Sequence, residues 1–283
     1  KMDNQSFDSL LPNEMAKKAE EIGVKKANQS FTKTFALSLL AGAYIAIGGF
    51  FSSTVLVGSE TIPYGISKML AGFAFCTGLI LVVVGGAELF TGNNLIAMAW
   101  ANKKITFSKL LRNWAIVYFG NFVGSVIIAA TIFLGGQYLF SGGQVGLWAL
   151  KIAEGKFALQ PSQMFFLGIL CNVLVCLAVW LTYSAKTTTC KIMAIIFPIT
   201  AFVAAGFEHS VANMYFGTIA ILIKNFAGQS FWSSISKTAQ DFSHLSPGAM
   251  ANNLLWVTLG NIVGGALFVG ISYWFIYLRE KTK

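Results

Sequence analysis

The sequence predicts an all-α membrane protein of six transmembrane helices in two inverted three-helix repeats, with the second and fifth helices broken. Three observations predict it. Of 283 residues, 55% are apolar and 11% charged, and the mean hydropathy is +0.67. A soluble chain of this size carries about 25% charged residues. Apolar runs long enough to cross a bilayer, about 20 residues each, recur along the chain. Two short patterns recur in matching order, one in the second and fifth runs, the other in the third and sixth.

The runs cover Thr34–Val57, Tyr64–Trp100, Thr106–Leu134, Met164–Thr182, Ile192–Ile223 and Met250–Leu278. No linker separates them, so residues 31–283 form one transmembrane domain. Residues 1–30 form a polar N-terminal segment. Leu10, Leu11, Met15, Ala19 and Ile22 recur there at helical spacing, with Lys17, Lys18, Lys25 and Lys26 for a polar face. It has no signal-peptide h-region. It reads as a cytoplasmic helix, either lying on the headgroups or acting as a movable plug. With the N-terminus inside, fifteen of the twenty Lys and Arg fall on the cytoplasmic side. Lys68, Lys151, Lys156, Lys224 and Lys237 fall on the other. This asymmetry places both termini in the cytoplasm and accounts for the net charge of +9 without nucleic acid.

The second and fifth runs are too long for one straight span. Each carries a glycine followed two residues later by a carboxylate: GAELFTGNN at 86–94 and GFEHSVANM at 206–214. Both read G-x-E-x-x-x-x-N. GNFVG (120–124) and GNIVG (260–264) form the second pair. Three helices per repeat force opposite orientations, and paired interrupted segments point to a transport site. Interrupted helices free backbone N–H groups that need partners. Glu88 and Glu208 are the expected acceptors, as scaffold carboxylates of the two breaks. The glycines of the second pair read as close helix packing.

His209 is the one histidine within an apolar run. An ionisable group there is a functional candidate, and imidazole changes charge near neutral pH. Thr91, in the symmetric segment, is the expected hydroxyl partner across the pseudo-two-fold axis. Lys156 and His244 fall in outward connections and read as solvated. The four cysteines lack metal or disulfide spacing, so no metal site or cofactor is expected. A hydrolase is disfavoured because neighbours such as Glu208 and His209 point in different directions on a helix. A bis-histidine haem protein lacks a second histidine in a span. An aquaporin-like neutral-solute channel, the alternative from another class, lacks the N-P-A motifs.

VVGGAELFTG (83–92), GILCNVLVCLA (168–178), FEHSVANM and the GN-x-x-G pair resemble the signatures of the formate/nitrite transporter family. The resemblance runs from about residue 7 to residue 279. FDSLLPNEMAKKAEEIGVKKA and VGISYWFIYLRE are most similar to its formate-channel branch. The resemblance implies an aquaporin-like fold and a homopentamer, with one pore per protomer, in the bacterial inner membrane. It implies bidirectional, pH-dependent transport of formate and related small monovalent weak-acid anions, with protons taking part. Nitrite or hydrosulfide is the alternative within the family. Matched position by position, Phe75 and Phe202 form one apolar constriction. Leu79, Leu89, Phe90 and Val175 are further narrow or gating positions, and Leu89–Asn93 is a mobile loop. Thr91, Asn172, His209 and Asn213 are polar pore residues, and Lys156 is a vestibule lysine that attracts anions.

Overall fold

In the computed structural model, which describes residues 9–279, helices hold nearly all of the chain, and no strand occurs among the described residues. The first eight residues of the N-terminal segment, and Lys281 and Lys283 of the charge count, lie outside the described residues. The helices are α1 (Pro12–Ala27), α2 (Phe31–Val55), α3 (Tyr64–Gly85), α4 (Phe90–Asn93), α5 (Ala97–Ala101) and α6 (Phe107–Leu134). After them come α7 (Gln144–Phe157), α8 (Pro161–Ser184), α9 (Thr188–Ala204), α10 (Ser210–Phe226), α11 (Gln229–Ser234) and α12 (Pro247–Ile262). From Val263 the last helix continues in wider π-type turns to Leu278. Among the described residues five helices are long and apolar enough to cross a membrane: α2, α3, α6, α8 and α12 with its extension. α9 is a shorter apolar helix.

Local chemistry sets the ends. Thr106 Oγ1 accepts the Lys109 N–H and Ser246 Oγ accepts the Ala249 N–H, capping α6 and α12. Pro161 and Pro247 occupy the first helical position of α8 and α12, where a missing N–H costs nothing. α3 ends because Gly86 turns left-handed at φ 81°, and α9 is followed by Gly206 at φ 74°. A side chain disfavours that conformation and glycine does not. After each glycine the chain runs extended and then re-enters a helix, at Phe90 and at Ser210.

α2 packs on α3 and α6, and α8 packs on α9 and α12. The two groups join along α3 and α9 and through α10, which lies against α2, α6 and α12. Close approach depends on glycine. A Cβ at Gly124 would sit 2.1 Å from the Leu39 carbonyl oxygen, and one at Gly264 would sit 2.2 Å from that of Ile169. Gly124→Ala or Gly264→Ala should therefore push two helices apart and lower the Tm of the purified protein, at a cost of about 1–3 kcal/mol. Gly65→Ala, where a Cβ meets nothing within 4 Å, is the control expected to be neutral.

α1 is not a free surface helix. Met15, Ala16, Ala19, Gly23 and Ala27 are buried against α5, α8 and the C-terminal helix. α7 stands before α8 as α1 stands before α2. Each ends in a lysine four residues before the last residue preceding the next helix, Lys26 before Ser30 and Lys156 before Gln160.

Candidate functional site

Two cavities open into the helix bundle, one beside α1 and the other beside α7. One, of about 200 Å³, is lined on the α1 side by Ala19, Lys26, Leu79, Glu88, Leu89 and Asn93. The other, of about 310 Å³, is lined on the α7 side by Lys68, Phe75, Lys151, Lys156, Phe202 and His209. Apolar side chains narrow both. Leu79 and Leu89 line the first and are buried. Phe75 meets Phe202 edge-on in the second, with ring centroids 5.6 Å apart, and Phe202 stacks near-parallel on His209 at 5.8 Å.

Between them lie Thr91 and His209. Thr91 Oγ1 and His209 Nε2 are 2.9 Å apart, both residues buried. The other ring nitrogen is committed: Nδ1 accepts the Ala212 N–H at 3.0 Å and caps α10. A backbone N–H can only donate, so Nδ1 carries no proton in this arrangement. The neutral ring is therefore the Nε2–H tautomer, and Nε2–H donates to the Thr91 hydroxyl. That hydroxyl's own proton remains available to an acceptor.

The turns from α3 to α4 and from α9 to α10 are braced by the same hydrogen bonds. Asn121 Oδ1 accepts the Phe90 N–H, and its Nδ2 donates to the Ser38 and Glu88 carbonyls. Asn261 Oδ1 accepts the Ser210 N–H, and its Nδ2 donates to the Gly168 and Glu208 carbonyls. The N–H of Glu88 donates to Leu37 O, and that of Glu208 to Leu167 O. The N–H groups of Glu88, Phe90, Glu208 and Ser210 are thus taken by asparagines of the GN-x-x-G pair and by carbonyls, not by the Glu88 and Glu208 side chains. The repeated asparagine of the pair is the sequence signal for this brace.

The carboxylates instead hold lysines and amides. Glu208 Oε1 lies 2.7 Å from Lys156 Nζ, and Oε2 accepts from Asn213 Nδ2 at 2.7 Å. Glu88 Oε2 lies 3.2 Å from Lys26 Nζ and accepts from Asn93 Nδ2 at 2.7 Å. Asn113 and Asn253 complete the two networks by accepting from Asn93 and Asn213. Lys156 is thus no solvated loop residue: it is largely buried at the end of α7 and ion-paired. His244 is exposed but paired too, its Nδ1 2.7 Å from Glu154 Oε1. Lys26, Asn113, Asn121, Asn253 and Asn261 are the members of this machinery that sequence reasoning missed.

Several residues expected in the pore line neither cavity. Asn172 is fully buried and donates to Thr91 O, Asn94 Oδ1 and Asn261 O, tying α4 to α12. Asn213 is buried in the Glu208 network. Phe90 packs edge-on against Tyr118 and Trp114, 5.0 and 6.2 Å away, and Val175 is buried on α8. The cavity-lining members are Phe75, Leu79, Leu89, Lys156, Phe202 and His209. Among the described residues no cluster of His, Cys, Asp and Glu is arranged to hold a metal ion.

The family model for the formate/nitrite transporter matches residues 13–275. The chain is 45% identical over 282 residues to the formate channel FocA of Escherichia coli (strain K12), covering 99% of both. It is 41% identical over 284 residues to FocA of Haemophilus influenzae, covering 99% of this chain and 98% of that one. A solved structure described as a pentameric formate channel with formate bound superposes with a TM-score of 0.84 at 46% identity, covering 88% of this chain and 98% of the other. A motif set matched over nearly the whole chain and a shared fold lead to one assignment: the chain belongs to the formate/nitrite transporter family, a family of membrane channels and transporters and not of enzymes.

Proposed function

We propose that this protein is a membrane channel for formate and related small monovalent weak-acid anions, working in both directions with a pH-dependent rate. The observation that carries the reading is the Thr91–His209 pair, enclosed by apolar side chains between two cavities that each hold a lysine. Relatives named for formate favour it over nitrite or hydrosulfide. An anion is drawn to Lys68, Lys151 and Lys156, which outnumber the one carboxylate lining that cavity. Crossing Phe75 and Phe202 strips its water, a cost of at least several kcal/mol for a bare charge. The Nε2–H of His209 and the hydroxyl of Thr91 offset part of that cost by hydrogen bonding. Transferring a proton asks more of the ring. Protonating Nδ1 displaces the Ala212 N–H, so an imidazolium at His209 is coupled to loss of the α10 cap.

In this reading α3 with α4 and α5 is one interrupted span, and α9 with α10 is another. Six spans result, in two three-helix units of opposite orientation. The matching brackets of Asn121 and Asn261, and of Lys26–Glu88 and Lys156–Glu208, support it. α1 then lies on the cytoplasmic side, as a helix docked on residues 31–283, and α7 on the outer side. Glu88 and Glu208 serve as scaffold, with Asn172 and Asn213 bracing the walls. Phe90 and Val175 act from behind the lining. The assembly is a homopentamer in the bacterial inner membrane with both termini cytoplasmic.

Flux of formate, nitrite, hydrosulfide and lactate into liposomes at two pH values tests the substrate. Formate should pass fastest, and faster at the lower pH. Equal rates for lactate and formate would overturn the assignment. For topology, Lys151→Cys in a Cys190→Ser background should react with an impermeant maleimide in intact cells. Lys17→Cys should react only after permeabilisation. The reverse pattern would invert the orientation.

A further inference from the structure

The α7-side cavity, at about 310 Å³, is larger than formate needs. It reaches the range of small-molecule pockets, about 300–1,000 Å³, which hold a ligand mostly against apolar walls with a few polar groups fixing one end. A formate ion, one carbon and two oxygens, has no apolar body to set against such walls. Apart from its three lysines, Glu208, His209 and Ser52, the lining is apolar or glycine. Every lining residue lies between Ser52 and Phe216, so none adjoins either end of the chain.

The three cations differ in what holds them. Lys156 is paired with Glu208. Lys68 Nζ stands 5.5 Å from the centroid of the Tyr64 ring, and Lys151 Nζ 4.9 Å from that of Trp148. Neither ring lines the cavity, so these two ammonium groups stand at its edge. A ring face holds a cation without neutralising it. Among the described residues, neither lysine has a carboxylate within ion-pair distance. Deeper in, Phe75 meets Phe202 edge-on. The cavity is therefore cationic at its edge and apolar where it narrows. The α1-side cavity is built differently. Counted along the two repeats, from Gly86 to Gly206 and from Lys26 to Lys156, Thr188 stands in the place of Lys68 and Glu21 in that of Lys151. Among the described residues, Lys26 is the one cation lining that smaller cavity.

We propose that the α7-side cavity binds a monovalent organic anion with a ring-sized apolar body, an aromatic carboxylate or sulfonate, and that such an anion plugs the pore from this side. The anionic head pairs with Lys68 and Lys151, and the ring lies against Phe75, Phe202 and Phe216. Phe75 and Phe202 are already in contact, so formate needs only a small opening between them and a bound ring needs one its own size. The proposal rests on the pore reading of this cavity and not on formate being the anion carried.

The test is isothermal titration of the full chain in mild detergent with two permanently charged anions. Benzenesulfonate has the head and the ring; methanesulfonate has the head alone. Burying a ring is worth about tenfold or more, so benzenesulfonate should bind at least about tenfold tighter. Lys68→Gln with Lys151→Gln should weaken its binding about tenfold. Ile152→Gln, in the apolar wall, should weaken benzenesulfonate and leave methanesulfonate unchanged. In right-side-out vesicles from cells without another formate channel, external benzenesulfonate should block formate entry; in inverted vesicles it should not. Equal affinity of the wild-type protein for the two sulfonates would overturn the proposal, even if a variant failed to fold. So would unaltered affinity in the folded double-lysine variant, or a block of equal strength in both kinds of vesicle. Vesicles that pass no formate would refute the formate reading instead, and the titration would still decide this one.

Discussion

His209→Phe should reduce formate flux about a hundredfold while the protein still folds and assembles. The new ring keeps the near-parallel packing on Phe202. It loses both hydrogen bonds of the imidazole, Nε2 to Thr91 and Nδ1 from Ala212. A lost cap costs about 1 kcal/mol, and an unpaired buried hydroxyl about 1–3 kcal/mol, which a helical membrane protein of this size can absorb. The pore loses more. Hydrogen bonds to a charged group are worth about 1.5–3 kcal/mol each, so losing the Nε2–H donor at the top of the barrier costs up to about 3 kcal/mol or two orders of magnitude in rate. His209→Asn separates the roles. Asparagine is among the best caps and its amide still donates, so the cap and passive anion passage should survive. It cannot take up a proton, so formate uptake driven by an imposed pH gradient should fall sharply. Flux in liposomes, normalised to reconstituted protein, reads both. Wild-type gradient-driven uptake in His209→Asn would remove the ring's proton from the mechanism.

What the sequence showed was whatever depends on near neighbours. Apolar run length located the long helices, and glycine before an acidic residue located the points where α3 and α9 stop. What it hid are contacts between distant segments. Asn121 and Glu88 are far apart in the chain, and no periodicity says that one braces the other. The kinship of α1 and α7 was hidden because their compositions differ. PNEMAKKAEEIGVKKA is polar and reads as a surface helix, whereas QVGLWALKIAEGKF is apolar. What they share is small residues on the buried face, Ala16, Ala19 and Gly23 in one and Gly146, Ala149 and Ala153 in the other, and a lysine in the last turn aimed at a carboxylate. Lys156 reads as solvated in the sequence for the same reason: only the fold brings Glu208 to it.

Glu208→Gln should be the most destabilising of the charge-removing substitutions, ahead of its counterpart Glu88→Gln. Removing one partner of a buried ion pair strands the other, at about 3–5 kcal/mol when neither reaches water. The Lys156 side chain keeps 18% of its exposure, so the lower end applies. Glutamine also turns an acceptor into a donor where Asn213 Nδ2 already donates. Lys26 is better provided for. It is 27% exposed, stands farther from its carboxylate and donates to Asn93 Oδ1 at 2.8 Å as well. Its ammonium therefore loses less when Glu88 is neutralised. Adding Lys156→Met to Glu208→Gln removes the stranded charge and should recover part of the lost stability. It should not restore formate flux, because the cavity has then lost a cation that draws the anion in. Thermal unfolding in detergent and liposome flux, measured on the same preparations, separate the two effects. A Glu208→Gln protein as stable as wild type would show that the pair is not what holds the second break. Full flux in the double variant would show that Lys156 does not serve anion entry.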